Sequence, residues 1–126
     1  MKASIDQIFD LSKAALLRHG ADDFPATEVA RAVARAEALG NVICGLYYLE
    51  SYCLQLRSGR VQGGVEPVVT RPKPGVVQVD AGFGFAQPAF ARGLAPAMAA
   101  ARENGIATLA VCHAHTCTSL GYFTEQ

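Results

Sequence analysis

The stretch that decides the fold is Val76-Val77-Gln78-Val79-Asp80-Ala81-Gly82-Phe83-Gly84-Phe85-Ala86-Gln87-Pro88-Ala89. Its first four residues are a short β-branched run, which reads as a strand. Asp80 to Phe85 is turn-rich. Pro88 then fits the first turn of a helix, where its missing N–H costs nothing. The spacing predicts that helix over Gln87 to Asn104, with Phe90, Leu94, Met98 and Ala101 packing inward and Gly105 ending it. Ile106 to Val111 follows as a buried-strand pattern. Strand, turn, helix and strand in this order make an α/β unit.

Upstream the chain is helical. Ser4 and Gln7 form a capping-box pattern, in which each side chain satisfies an orphan backbone N–H. Ile5, Ile8, Phe9, Ala15 and Leu16 keep one face apolar, and Gly20 closes the helix. Pro25 suits the first turn of a second helix, lined by Val29, Ala32, Val33, Ala36 and Leu39 and stopped by Gly40. A third helix turns Leu46, Leu49, Cys53 and Leu56 inward and ends before Gly59. Gly63-Gly64, Pro67, Pro72, Pro74 and Gly75 then break the chain around a second β-branched run, Val68-Val69-Thr70.

The order is therefore α-α-α-β-β-α-β-loop-(α). This is an α/β or α+β arrangement in one domain spanning 1–126, helical over 1–59 and mixed over 60–126. There is no internal repeat. The chain stops at Tyr122-Phe123-Thr124-Glu125-Gln126, where a helix begins. One turn of helix does not repay its nucleation. The reading is a truncated domain, or one completed by something else.

Composition narrows the function classes. Of 126 residues, 51% are hydrophobic and 17% charged, which excludes intrinsic disorder. Lys+Arg 11 balances Asp+Glu 11, so a dedicated nucleic-acid binder is not expected. The least polar stretch, Ala86 to Ala101, carries Arg92 and two prolines and falls short of a membrane span. Met1-Lys2 leads straight into a helix start at Ser4, so no secretory leader is expected. Cys44, Cys53, Cys112 and Cys117 are thus expected as thiols in a reducing cytoplasm.

The densest polar cluster is Cys112-His113-Ala114-His115-Thr116-Cys117-Thr118-Ser119, directly after a strand, where α/β proteins place function. A substrate or cofactor loop is the favoured reading. Zinc on Cys112, His113, His115 and Cys117 is conceivable, but the spacing fits no standard motif, and no metal is expected. His19 suits a helix C-terminus. Gly82-x-Gly84 lacks the third glycine of a dinucleotide fingerprint and reads as a tight turn. Cys44 reads as a small buried residue, and Tyr47, Tyr48 and Tyr52 as core rings with hydroxyls at the rim.

The order of motifs resembles the N-terminal third of the malate/L-lactate dehydrogenase family that lacks the common Rossmann fold. That family includes ureidoglycolate and sulfolactate dehydrogenases, diketogulonate reductase, and reductases of piperideine- and pyrroline-2-carboxylate. Ala26 to Gly40 looks like its A-x-x-V-A-x-x-x-x-x-A-E-x-x-G. Gly45-Leu46-Tyr47-Tyr48-Leu49-Glu50-Ser51-Tyr52 looks like its G-L-x-R-L-x-x-Y. Val79-Asp80-Ala81 with Gly84-Phe85-Ala86 and Pro88-Ala89 resembles V-D-A-x-x-G-F-A-x-P-A. His115-Thr116 and Gly121-Tyr122 resemble S-H-T…L-G-Y.

The resemblance implies an oxidoreductase moving hydride between NAD(P)H and a 2-oxo acid or cyclic 2-imino acid. It also implies a homo-oligomer, or a partner chain that completes the fold. His115, Thr116 and Ser119 would line the substrate pocket. Two positions depart from the family. Its Ser-His-Gly, whose histidine is the general acid, reads here as Ile43-Cys44-Gly45: either Ser-His is deleted, or Cys44 replaces the histidine. The family arginine that clamps the substrate carboxylate aligns with Tyr48, and a phenol cannot make that charged bidentate contact. In the later loop Ala114 stands where the family often has serine. The family's nicotinamide cofactor is held largely by residues beyond this third. A second expectation follows from these losses: a non-catalytic remnant serving as an interaction or assembly module.

Overall fold

The computed structural model describes residues 2–115 and 117–126. Five helices and three strands follow one another as α1 (Ile5–Arg18), α2 (Asp23–Ala38), α3 (Leu46–Arg57), β1 (Val68–Lys73), β2 (Val76–Asp80), α4 (Ala86–Asn104), β3 (Thr108–Cys112) and α5 (Leu120–Thr124). No helix among the described residues is long and apolar enough to cross a membrane.

Local chemistry sets the ends of the elements. The capping box at Ser4 and Gln7 forms as expected, with bonds of 3.1 Å and 2.9 Å. Gly105 stops α4 in the left-handed region at φ 80°, which L side chains rarely adopt. At α3 the cap comes from outside the helix: the Glu37 carboxylate, nine positions back, accepts the Leu46 N–H at 2.7 Å. Gly45 beside it leaves room for that carboxylate, since a Cβ there would collide with the end of the Glu37 side chain and displace the cap.

α1, α2 and α3 bury Leu16, Val29, Val33, Tyr52 and Leu56 in one core, which Phe85 joins from the start of α4. The sheet has the order β1-β2-β3. β1 and β2 form an antiparallel hairpin with Val69 opposite Val79 and a register shift between Thr70 and Lys73, where Pro72 sits. β2 and β3 are parallel, pairing Val77 with Leu109 and Asp80 with Cys112. α4 is the crossover between them and covers Val77 and Val79, both fully buried.

The structure corrects several details of the sequence reading. β3 is an edge strand with no fully buried residue, and Ile106 before it is 80% exposed. The sheet has covered only one side of it, so an apolar run that reads as buried is half open. Of the residues expected to pack from α4, Phe90, Leu94 and Ala101 are half-buried and Met98 is exposed, while the small residues Ala86, Ala89, Gly93 and Ala100 are the buried ones. At Gly93 a Cβ would lie 2.6 Å from Leu109 Cδ1 and 2.7 Å from Val79 Cγ2, so the close approach admits no side chain. Leu39 and Leu46 are exposed rather than inward. α5, one turn long, is held by tertiary contacts. Tyr122 is buried, Phe123 packs edge-on against Phe90 at 5.0 Å, and Glu125 pairs with Arg35 at 2.7 Å.

Candidate functional site

The loops after β2 and β3 run side by side beyond the sheet. Ala81 N–H donates to Cys112 O, Phe83 N–H to His113 O and His115 N–H to Gly84 O, at 2.9, 2.7 and 2.8 Å. A parallel bridge joins Phe85 to His115. This extension of the ladder carries the polar loop past the C-terminal ends of both strands and over the start of α4. Phe83, His113 and Thr118 take positive φ there, at 62°, 48° and 43°, a cost that non-glycine residues bear only where the surroundings impose it.

Tyr52 of α3 is the centre of the region. Its phenol sits 2.9 Å from the Thr118 hydroxyl and accepts from the Gln87 amide at 3.3 Å. The ring packs edge-on between Tyr48 at 5.0 Å and Phe85 at 5.4 Å. Burial pushes the phenol up to about 12; the Thr118 and Gln87 hydrogen bonds pull it back in part, and the charges of Tyr48 and Cys44 add to the rise. The hydroxyl is therefore protonated and buried, not at the rim as its sequence position suggested.

Two polar atoms in this region, Gln87 Oε1 and His115 Nε2, are buried without a hydrogen-bond partner among the described residues. Such atoms are costly when left unmet. The His115 ring lies 6.5 Å from Phe85, edge-on. Burial first, and the charge of Arg60 second, hold its imidazole below the usual histidine range, so it is neutral at pH 7. Arg60 is exposed and makes no salt bridge with any described residue. It was not singled out from the sequence, where it is one more arginine three positions after Arg57; only its placement near His115 distinguishes it.

The other expected residues fall as follows. Cys44 is half-buried in the turn before α3, not a core residue, and its charge reaches Tyr52. Tyr48 is partly buried against the helical core. Ser119 is the half-buried N-cap residue of α5, with no side-chain cap bond. Thr116 lies outside the described residues. Cys44, Cys53, Cys112 and Cys117 are free thiols. The quartet of Cys112, His113, His115 and Cys117 is not assembled: among the described residues, the donors that cluster are those of Asp80, Cys112 and His113.

A dinucleotide finds no cradle in the turn of Gly82 and Gly84. A Cβ at either would lie 2.7 Å from the Val65 side chain, so these glycines admit the neighbouring loop and not a phosphate. This turn therefore does not hold the phosphates of a nicotinamide cofactor, in keeping with its reading as a structural one.

A polar loop at the strand ends, beside a small mixed sheet and a three-helix layer, is an arrangement shared with known dehydrogenases. The match with the family described as malate/L-lactate dehydrogenase runs over residues 3–126, and the chain belongs to that family. It is 36% identical over 117 residues to the Delta(1)-pyrroline-2-carboxylate reductase of Ancylobacter novellus, covering 93% of this chain and 33% of that protein. Against the (2R)-3-sulfolactate dehydrogenase (NADP(+)) of Chromohalobacter salexigens it is 37% identical over 112 residues, covering 89% and 33%. The crystal structure of delta1-piperideine-2-carboxylate reductase from Pseudomonas syringae superimposes with a TM-score of 0.96 at 33% identity, covering 99% of this chain and 38% of that one. Malate dehydrogenase from Entamoeba histolytica shares the fold, with a TM-score of 0.88 at 22% identity over 98% and 34%. The chain spans about a third of the length of the curated relatives it matches.

Proposed function

We propose that this chain forms the substrate-facing part of a reductase acting on a 2-oxo acid or cyclic 2-imino acid. The observation that carries the reading is the pair of buried atoms without a partner among the described residues, Gln87 Oε1 and His115 Nε2, in the region of the protonated Tyr52 phenol. The N–H of a protonated cyclic 2-imino acid is a donor for Gln87 Oε1, and its carboxylate is an acceptor for His115 Nε2 in the Nε2–H tautomer. When bound, NAD(P)H supplies the hydride, and the family holds it largely with residues beyond this third.

In this reading His115, Thr116 and Ser119 line the pocket. The neutral His115 donates from one ring nitrogen and accepts at the other, and so orients the substrate without a charge of its own. Arg60 supplies the cation for the substrate carboxylate that Tyr48, at the family's arginine position, cannot. Cys44 stands at the family's general-acid position. Its thiol is the group there that could give a proton to the carbonyl oxygen or imine nitrogen.

The test is titration of NADPH and NADH into the purified protein, followed by nucleotide fluorescence, and then turnover of a panel of 2-oxo and cyclic 2-imino acids. Saturable binding at micromolar levels with turnover supports the reading, and the revertants Cys44→His and Tyr48→Arg should raise the rate. A folded protein that neither binds nucleotide nor turns over any acid sinks it.

A second reading, a non-catalytic assembly module acting as a homo-oligomer or with a partner chain, is favoured by a different observation. Leu39, Val42, Ile43, Leu46 and Tyr47, around the junction of α2 and α3, are all exposed. A well-behaved monomer by sedimentation would remove its support.

A further inference from the structure

We infer that Asp80, Cys112 and His113 form a three-ligand site for a borderline divalent cation of the zinc class, with a fourth coordination position open to solvent. One donor atom from each residue lies within 4.8 Å of the other two. Zinc bonds of about 2.0–2.3 Å place tetrahedral ligand atoms roughly 3.3–3.8 Å apart, so side-chain shifts of about 1 Å close the set.

The scaffold is rigid where it matters. Asp80 and Cys112 are register partners at the C-terminal ends of the parallel strands β2 and β3, so both side chains leave the same face of the sheet. His113 follows at once, its backbone at φ 48° and its carbonyl tied to Phe83 N–H at 2.7 Å. Its Nδ1 already faces both Asp80 oxygens at 3.0 and 3.1 Å. The Phe83 ring lies against the imidazole, centroids 5.1 Å apart and planes 31° off parallel.

Outer groups orient the donors. Gly82 N–H donates to Asp80 Oδ1 at 2.8 Å. The Gln78 amide donates to Cys112 Sγ at 3.7 Å, and that thiol points at Val79 O at 3.6 Å. Such support commonly decides metal affinity. The His113 and Asp80 side chains are 54% and 45% exposed, so an ion can enter.

The donor set selects the ion. Thiolate and imidazole with one carboxylate suit zinc or cobalt(II), whereas magnesium and calcium require oxygen donors. Binding expels the thiol proton of Cys112 and uses neutral His113; the two anionic ligands then balance the 2+ charge.

The test uses the full chain, stripped with chelator and titrated with zinc(II) and with cobalt(II). The expected result is one equivalent bound with a dissociation constant of about 1–10 micromolar or tighter. The cobalt form should show thiolate-to-metal charge-transfer absorption. Cys112→Ser should abolish that band, and His113→Ala and Asp80→Asn should each weaken binding about tenfold or more. A Cys44→Ser, Cys117→Ser double variant should keep the band, which holds the assignment even if Cys112→Ser fails to fold. Absence of one-equivalent binding, a thiolate band that survives Cys112→Ser, or one lost in the double variant would overturn the site.

Discussion

Tyr52 and Thr118 are 66 positions apart in sequence, and their hydroxyls are 2.9 Å apart in space. The bond ties α3 to the polar loop after β3. Because the Tyr52 phenol also accepts from Gln87 at 3.3 Å, three elements meet at one oxygen.

Removing that oxygen leaves the buried Gln87 amide and Thr118 to find other partners. Tyr52→Phe keeps the ring packing and should cost about 1–3 kcal/mol, the usual penalty for an orphaned buried group. Tyr52→Ala adds a cavity and should cost about 3–5 kcal/mol or prevent folding. Urea denaturation of both variants checks the order. Equal costs would mean the ring, and not the hydroxyl, organises the site.

Stability should fall on the acid side through His115. Its folded-state value is depressed by burial and by Arg60, so the unfolded chain takes up the proton first as pH drops. Stability is complete above the ordinary histidine value of about 6.5 and declines as pH falls through and below it. Denaturation midpoints between pH 7.5 and pH 5 should show this slope, and His115→Gln should flatten part of it. A slope unchanged in the variant would place the effect elsewhere.

Arg60→Gln tests the proposed carboxylate cation. A charged hydrogen bond contributes about 1.5–3 kcal/mol, so KM for an acid substrate should rise about tenfold or more with a smaller change in kcat. The same change removes the repulsion on His115 and should move its titration, followed by NMR, upward. Unaltered KM with unaltered His115 titration would exclude Arg60 from the pocket.

The seam between α4 and the sheet should be intolerant of one methyl group. Gly93→Ala gains about 1 kcal/mol of helix propensity. Its Cβ would nevertheless meet Leu109 and fully buried Val79 below 3 Å. Overpacking should win, for a net loss of about 1–2 kcal/mol in thermal or urea denaturation. A stabilised variant would show that β3, the edge strand, gives way at no cost.

Sequence by itself determined the elements and their order. The capping box of Ser4 and Gln7, the glycine stops and the β-branched run at Val76 are local, and a pattern of neighbours specifies them without reference to the rest of the chain. The family resemblance drew on the same local spacing, and it placed Cys44, Tyr48 and His115. What the tertiary structure alone decided was contact. Glu37 caps a helix it does not belong to, and Gly93 lies against the sheet. Asp80 joins Cys112 and His113 only because β2 and β3 pair in parallel. Periodicity says which residues share a face. It does not say which face finds a partner, because that depends on segments brought together by chain closure.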